Sequence, residues 1–99
     1  MHDLFLVGGI NGEITAHNPN NGEVVWKLAT SFVPYTFVPH GTNIYVIGTN
    51  GYLLQLDKTT GSIIWSDTLR ARISSPPLLI GDKLYISTGL RNIYSYALN

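Results

Sequence analysis

One stretch of the sequence occurs twice, 39 positions apart, and this repeat constrains the fold more than any other feature. Residues 44–66 contain two short apolar runs joined by a glycine-containing turn, then a polar turn and a third run that ends near Trp65. Six positions recur in the earlier copy: Val46, Gly48, Asn50, Gly51, Gly61 and Trp65 correspond to Val7, Gly9, Asn11, Gly12, Gly22 and Trp26. A fixed period near 40 residues predicts a repeat protein whose units bury their apolar faces against one another.

Short apolar runs bounded by Gly, Asn, Asp and Pro predict an all-β chain. The predicted strands are residues 4–7, 13–17, 23–28, 33–39, 44–47, 52–57, 62–66, 78–80, 84–87 and 93–98. No window longer than about ten residues combines apolar spacing of 3.6 with freedom from Gly and Pro, so no helix is expected. Residues 44–47 and 52–56 are apolar at both parities, which indicates a sheet that is covered on both faces. Four short antiparallel strands per unit, buried on both faces, describe the blade of a β-propeller.

Composition excludes several functional classes. Six basic and six acidic residues give a formal net charge of zero, and they form no run, so neither nucleic acid nor an anionic membrane surface is an expected partner. There is no cysteine, which excludes a disulfide framework and a thiolate metal site. The beginning MHDLFLVGG predicts neither a signal peptide nor a membrane span, so a signal for export would lie outside this chain.

A motif occupies the turn between the second and third apolar runs of each copy. In the second copy, Asp57, Thr60, Gly61 and Trp65 fit the pattern Ala-x-Asp-x-x-Thr-Gly-x-x-x-Trp, with Gln55 in place of Ala. The first copy has Ala16, Asn18, Asn21, Gly22 and Trp26 at the same positions, and the third has Ala97 and Asn99. The pattern resembles the tryptophan-docking motif of propellers built from quinoprotein-type (PQQ-like) repeats. A WD40 blade has a similar period, but the residue after Trp26 is Lys27 rather than Asp.

The resemblance implies a domain organisation and a structural role for the motif. The chain is interpreted as a fragment, residues 1–99, of one PQQ-like propeller domain, with blade copies 1–32, 33–72 and 73–99, or about two and a half four-stranded antiparallel blades. In the family the tryptophan ring docks on a neighbouring blade, so the motif is expected to be a fastener and not a catalytic or cofactor site. Its residues here are Ala16, Asn18, Gly22, Trp26, Asp57, Thr60, Gly61 and Trp65.

The function implied by the resemblance is non-catalytic. The chain is expected to be a protein-binding or scaffolding module of a larger envelope protein, located in the periplasm or at the cell surface, with no cofactor. Expected partners are the remaining blades, further copies of the chain, or other proteins bound through blade-end loops. The alternative is a segment of a quinone-dependent alcohol or sugar dehydrogenase whose active site lies outside this chain. The family's enzymes use adjacent cysteines and a set of calcium ligands, which would distinguish the two.

The remaining candidate residues have plain structural interpretations. Asp57 is expected to cap its turn. Six aromatic residues are expected to pack between blades: Tyr35, Phe37, Tyr45, Tyr85, Tyr94 and Tyr96. His2, His17 and His40 have no i, i+2 spacing that would place two on one strand face as metal ligands. His17 is expected to be partly buried with one satisfied ring nitrogen, or to lie at a blade edge that faces solvent. The glycine-rich residues 8–12 precede no helix and so do not predict a phosphate loop. Unpartnered terminal blades predict association of the isolated chain.

Overall fold

The computed structural model describes residues 4–89 and 91–98, which form ten strands and no helix. The strands are β1 (Phe5–Gly8), β2 (Glu13–His17), β3 (Val24–Ala29), β4 (Pro34–His40), β5 (Asn43–Gly48), β6 (Tyr52–Asp57), β7 (Ile63–Thr68), β8 (Leu78–Ile80), β9 (Lys83–Ser87) and β10 (Ile93–Ala97). Each predicted strand is present, with ends that agree to within two residues. Within the described part of the chain there is no helix long and apolar enough to cross a membrane.

The strands form three antiparallel sheets in which every strand pairs with its neighbour in sequence. Sheet 1 contains β1, β2 and β3, sheet 2 contains β4 to β7 in order, and sheet 3 contains β8, β9 and β10. The predicted all-β, partial propeller architecture is confirmed. Pro34 and Pro39 both lie in β4, an edge strand of sheet 2, where a residue without an N–H does not interrupt a central ladder.

Two apolar layers hold the three sheets together. The first interface, between sheets 1 and 2, has a core of Ile14, Ala16, Trp26, Phe32, Ile44, Val46, Leu54 and Leu56. The second interface, between sheets 2 and 3, has a core of Tyr45, Ile47, Leu53, Ile73, Leu84, Ile86 and Leu98. Successive residues of β5 therefore enter different layers, as the pleat of a strand requires. This explains why β5 is apolar at both parities, and the prediction that both faces are covered is confirmed for sheet 2.

The turns reproduce the sequence repeat in their hydrogen bonds. Gly12 and Gly51 each have a positive φ, +86° and +90°, and each N–H donates to the carbonyl three residues earlier at 3.0 Å. Their own carbonyls accept 2.9 Å bonds from Thr30 and Leu69, which begin the connections to the next sheets. In the third copy Arg91 has the corresponding conformation at a φ of 65°, although a side chain disfavours it. The hairpins at Gly12 and Gly51 thus anchor the segments that lead to the following units.

Candidate functional site

Trp26 extends from β3 across the first interface to the turn that follows β6. A bulge between Ala16 and His17 interrupts the pairing of β2 with β3 directly beside this residue. The indole Nε1 donates a 2.9 Å hydrogen bond to the carbonyl oxygen of Lys58. The only polar atom of a buried ring is therefore satisfied, as burial requires. The residue is 9% exposed.

Gly61 lies directly beneath the Trp26 ring. A Cβ at this position would be 2.6 Å from two ring carbons, which is too close for any side chain. Its φ of +78° is also a conformation that L residues rarely adopt. The ring contact and the turn geometry both require glycine.

Side chains of the same turn hold it in shape. Asp57 Oδ1 accepts the N–H groups of Thr59 at 2.8 Å and Thr60 at 3.2 Å, and the Asp57 carbonyl accepts the Gly61 N–H at 2.8 Å. Thr60 Oγ1 accepts the Ser62 N–H at 3.3 Å. Asp57 is thus a turn cap, as its position in the sequence predicts.

The corresponding turn of the first copy has the same conformation with its outer side open. Asn18 Oδ1 accepts the Asn20 N–H at 2.9 Å, and the Gly22 N–H donates to the Asn18 carbonyl at 2.7 Å. Gly22 has a φ of +76°, yet no described atom lies within 4 Å of where its Cβ would be. This turn therefore has the motif conformation although no aromatic ring of the described residues packs on it.

Trp65, the repeat partner of Trp26, is placed differently. It is 38% exposed, against 9% for Trp26, so the described residues cover its ring less completely. Its ring meets the ring of Tyr96 edge-on, with centroids 5.6 Å apart. No described residue accepts a hydrogen bond from its indole N–H. The position equivalent to Asp57 in the third copy is Asn99, which lies outside the described residues.

Two polar contacts between side chains link sheets 2 and 3. The Tyr96 hydroxyl donates to Asp67 Oδ2 at 3.2 Å, and His40 Nε2 lies 2.9 Å from Asp82 Oδ1. Burial, followed by the negative charge of Asp67, raises the pKa of Tyr96 to about 12. The Asp82 side chain is 82% exposed, so that its pairing with His40 is largely in solvent. His40 Nδ1 is buried and makes no hydrogen bond with any of the residues that the structure describes.

The histidines have local roles. His17 stacks on Phe5, with centroids 5.0 Å apart, and its Nδ1 lies 3.0 Å from the Gly22 carbonyl oxygen. Because that oxygen only accepts, Nδ1 is the donor, and in the neutral ring Nε2 accepts from the Thr15 hydroxyl at 2.8 Å. The prediction of a partly buried His17 with a satisfied nitrogen is confirmed. His2 lies outside the described residues, and among those described no group of three His, Cys, Asp or Glu could hold a metal ion.

The structure brings together part of the predicted motif. Trp26 of the first copy meets the turn of the second copy, whereas Asn18 and Gly22 lie away from Trp65. Sequence reasoning missed the Lys58 carbonyl, because backbone acceptors have no residue signature. It also missed Phe32, whose ring packs directly on Gly48. The small residue at position 48 was the available signal for that contact.

Three stacked antiparallel sheets with this repeat define a segment of a PQQ-like β-propeller. The family model described as outer membrane protein assembly factor BamB matches residues 10–98, and the chain belongs to this family.

Curated relatives match much of the same chain. The chain is 31% identical over 97 residues to the outer membrane protein assembly factor BamB of Legionella pneumophila, covering 95% of this chain and 25% of that protein. It is 34% identical over 74 residues to BamB of Salmonella typhimurium, covering 73% and 19%. An uncharacterized protein of Rickettsia conorii is 28% identical over 110 residues, covering 97% and 26%. The chain thus spans about a quarter of the length of these relatives or less.

Solved structures agree on the fold. BamB from Moraxella catarrhalis superposes with a TM-score of 0.76 at 23% identity, covering 97% of this chain and 31% of that chain. The computationally designed Ika4 protein gives 0.83 at 9% identity, covering 100% and 62%. A europium-containing methanol dehydrogenase gives 0.78 at 16% identity, covering 100% and 22%. These identities are low, and the likeness concerns the fold alone.

Proposed function

We propose that this chain is a non-catalytic propeller segment that serves as a protein-binding or scaffolding module in outer membrane protein assembly. The observation that carries the proposal is the family match over residues 10–98, which spans all three sheets. By the same relation, the working location is the cell envelope. Its partners are the further blades of a longer protein and the polypeptides that such a propeller contacts.

The exposed surface of the outer strands is consistent with a polypeptide partner. Val24 and Val25 on β3 and Ile63 and Ile64 on β7 are each about half exposed, between 49% and 54%. These pairs recur at the repeat distance, so each of the two sheets presents an apolar pair at the same place. Exposed apolar side chains grouped on edge strands are typical of surfaces that bind other chains.

Within this function the tryptophan motif acts as the fastener between blades. The bond from Trp26 to Lys58 and the ring contact with Gly61 support that role for the first interface. For Trp65, Asn18 and Gly22 the role is proposed by repeat equivalence. A scaffold benefits from such fasteners because a buried aromatic side chain stabilises the relative position of two sheets.

A chimera tests the proposed function. Residues 10–98 would replace the matching segment of the Legionella pneumophila assembly factor, and the amount of correctly folded outer-membrane protein would be measured in cells without their own copy. We expect restored assembly. A chimera with Gly61→Val, which blocks the turn, is the matched control and should restore little. A folded, stably expressed wild-type chimera with no effect on assembly would contradict the proposal.

The alternative function, a segment of a quinone-dependent dehydrogenase, has support only from the shared fold with methanol dehydrogenase. A tightly bound quinone gives a characteristic absorption spectrum in the purified longer protein. Such a spectrum, together with turnover of an alcohol or sugar, would favour the enzyme over the scaffold.

A further inference from the structure

The contact between His40 and Asp82 joins the inner strands of sheets 2 and 3 and lies outside the repeat. His40 is the last residue of β4, and its Nε2 lies 2.9 Å from Oδ1 of Asp82, in the turn between β8 and β9. The residue 40 positions after His40 is Ile80, and the residue 40 positions before Asp82 is Thr42. Neither of these two residues is ionisable, so the contact is a feature of this interface and not of the repeated unit.

The contact determines which ring nitrogen of His40 is left to take up a proton. A carboxylate only accepts hydrogen bonds, so Nε2 carries the hydrogen and Nδ1 is the unprotonated nitrogen of the neutral ring. Nδ1 is buried and makes no hydrogen bond with any described residue. A proton added in acid would therefore create a buried N–H without a described acceptor, which is costly. The neutral ring fits the closed interface better than the charged ring does.

The neighbouring charges do not reverse this preference. The Asp82 side chain is 82% exposed, so water screens its attraction for a charged His40. Asn43 separates His40 from Asp57 in the pairing across β4, β5 and β6, and Asp57 Oδ1 accepts two N–H groups of its own turn. The other titratable groups on the elements around His40 are Tyr45 on β5, Lys58 in the turn after β6 and Lys83 on β9. Because two ammonium groups accompany the two carboxylates, the burial of Nδ1 decides.

The opposite ends of the same sheets are joined through the backbone. In the connection between β7 and β8, the Ile73 N–H donates to the Thr49 carbonyl of sheet 2 at 3.1 Å. The Arg72 carbonyl of the same connection accepts the Gly89 N–H of sheet 3 at 2.9 Å. Both β5 and β9 run from the end with the histidine contact to this end. Loss of that contact would therefore separate the sheets at one end and leave them joined at the other.

We propose that the His40–Asp82 contact is an acid-sensitive closure of the second interface, with the backbone bonds at Thr49 and Arg72 as its hinge. Protonation of His40 at Nδ1 releases the contact, and sheet 3 then moves away from sheet 2 at that end. The charged ring is solvated only in the open arrangement, so acid shifts the population toward it. An imidazole changes charge between about pH 5 and pH 8, which defines the working range. This device is independent of the role in outer membrane protein assembly.

The test uses introduced thiols, because the chain has no cysteine of its own. Leu84 in the second interface and Ile44 in the first are both 2% exposed, so Leu84→Cys and Ile44→Cys form a matched pair. Each variant of the 99-residue chain reacts with dithiodipyridine at about pH 8 and about pH 5, with and without denaturant. The ratio of the folded to the unfolded labelling rate gives the open fraction and removes the pH dependence of the thiol itself. Circular dichroism checks that each variant is folded.

The two interfaces should respond differently to acid. We expect the open fraction of Leu84→Cys to rise about tenfold on acidification, the effect of one buried N–H without an acceptor. The open fraction of Ile44→Cys should change little. If Leu84→Cys does not fold, Ile86→Cys takes its place, since Ile86 is 0% exposed in the same layer. No rise in the second interface, or an equal rise in both interfaces, would overturn the proposal.

Variants of the histidines identify the group that responds. The His40→Gln side chain can still donate to Asp82 but does not titrate, so the rise in the open fraction should vanish in that background. His17→Gln, at a histidine of sheet 1, is the matched control and should preserve the rise. A rise of the same size in folded His40→Gln would show that another group responds to acid, and it would refute the role of His40.

Discussion

The two interfaces use the same repeat and are closed in different ways. At the first interface, a buried ring covers a glycine turn and donates one hydrogen bond to its backbone. At the second, Trp65 is 38% exposed beside a cavity, and the polar links run through the side chains of Tyr96 and His40. The comparison shows that the burial of a motif tryptophan depends on the turn of the next sheet that packs against its ring. Its own strand determines only the direction in which the ring extends.

Truncating the two tryptophans should give the largest difference in stability between the two interfaces. Trp26→Ala should lower the free energy of unfolding by about 3–5 kcal/mol, because it removes a buried ring and its hydrogen bond. Trp65→Ala should cost roughly 1 kcal/mol, since part of that ring is already in water. Urea denaturation of both variants provides the measurement. Tyr35→Ala, at an exposed aromatic residue, is the control and should have little effect. Equal losses for the two tryptophans would show that the rings are equally packed.

Alanine substitutions at the two turn glycines, Gly22 and Gly61, should also differ in their cost to stability. Both glycines have a positive φ, so Gly22→Ala should cost about 1–2 kcal/mol from backbone strain alone. Gly61→Ala adds a Cβ that collides with the Trp26 ring and should cost more, roughly 3 kcal/mol. In a Trp26→Ala background the collision is gone, and the two alanine variants should become similar. A difference that persists there would require another cause.

The contact between His40 and Asp82 at the second interface should contribute less. Asp82→Ala removes the carboxylate near His40 and should lower stability by at most about 1 kcal/mol, because the Asp82 side chain is mostly in water. Thermal unfolding at neutral pH measures this change. Lys83→Ala at the neighbouring exposed position serves as the control. A loss similar to that of Trp26→Ala would mean that this contact, rather than apolar packing, holds sheet 3.

Tyr96 should give the smallest effect, and it appears only at alkaline pH. Its pKa is raised to about 12 in the folded chain, so the folded state keeps a proton that the unfolded state loses above pH ~10. Stability should therefore fall as the pH rises from about 10 to about 12, and this slope should be shallower in Tyr96→Phe. A phenolate titration followed by absorbance should show the last ionisation disappear in that variant. If the ionisation that is lost in Tyr96→Phe has an ordinary midpoint near pH 10, the burial of Tyr96 and its contact with Asp67 are absent in solution.

Much of the fold could be predicted because its signals are local. The positive φ at Gly12 and Gly51, the turn cap at Asp57 and the dual parity of β5 are all determined by short segments of sequence. The contacts at the interfaces between sheets could not be predicted from short segments of sequence. Trp26 and Trp65 have equivalent neighbours in sequence, but the contact of the Trp26 ring with Gly61 and the Lys58 carbonyl could be located only in the structure. Gln55 appeared in the sequence as a deviation from the motif, but its burial depends on the packing of sheets 2 and 3.

The meander topology also determines how the chain opens. Because every strand pairs with a neighbour in sequence, each sheet forms from local contacts, and the energy of the whole is close to a sum of sheets and their interfaces. Sheet 2 takes part in both interfaces, so its amides should be the last to exchange with solvent, whereas sheets 1 and 3 open from either end without disturbing it.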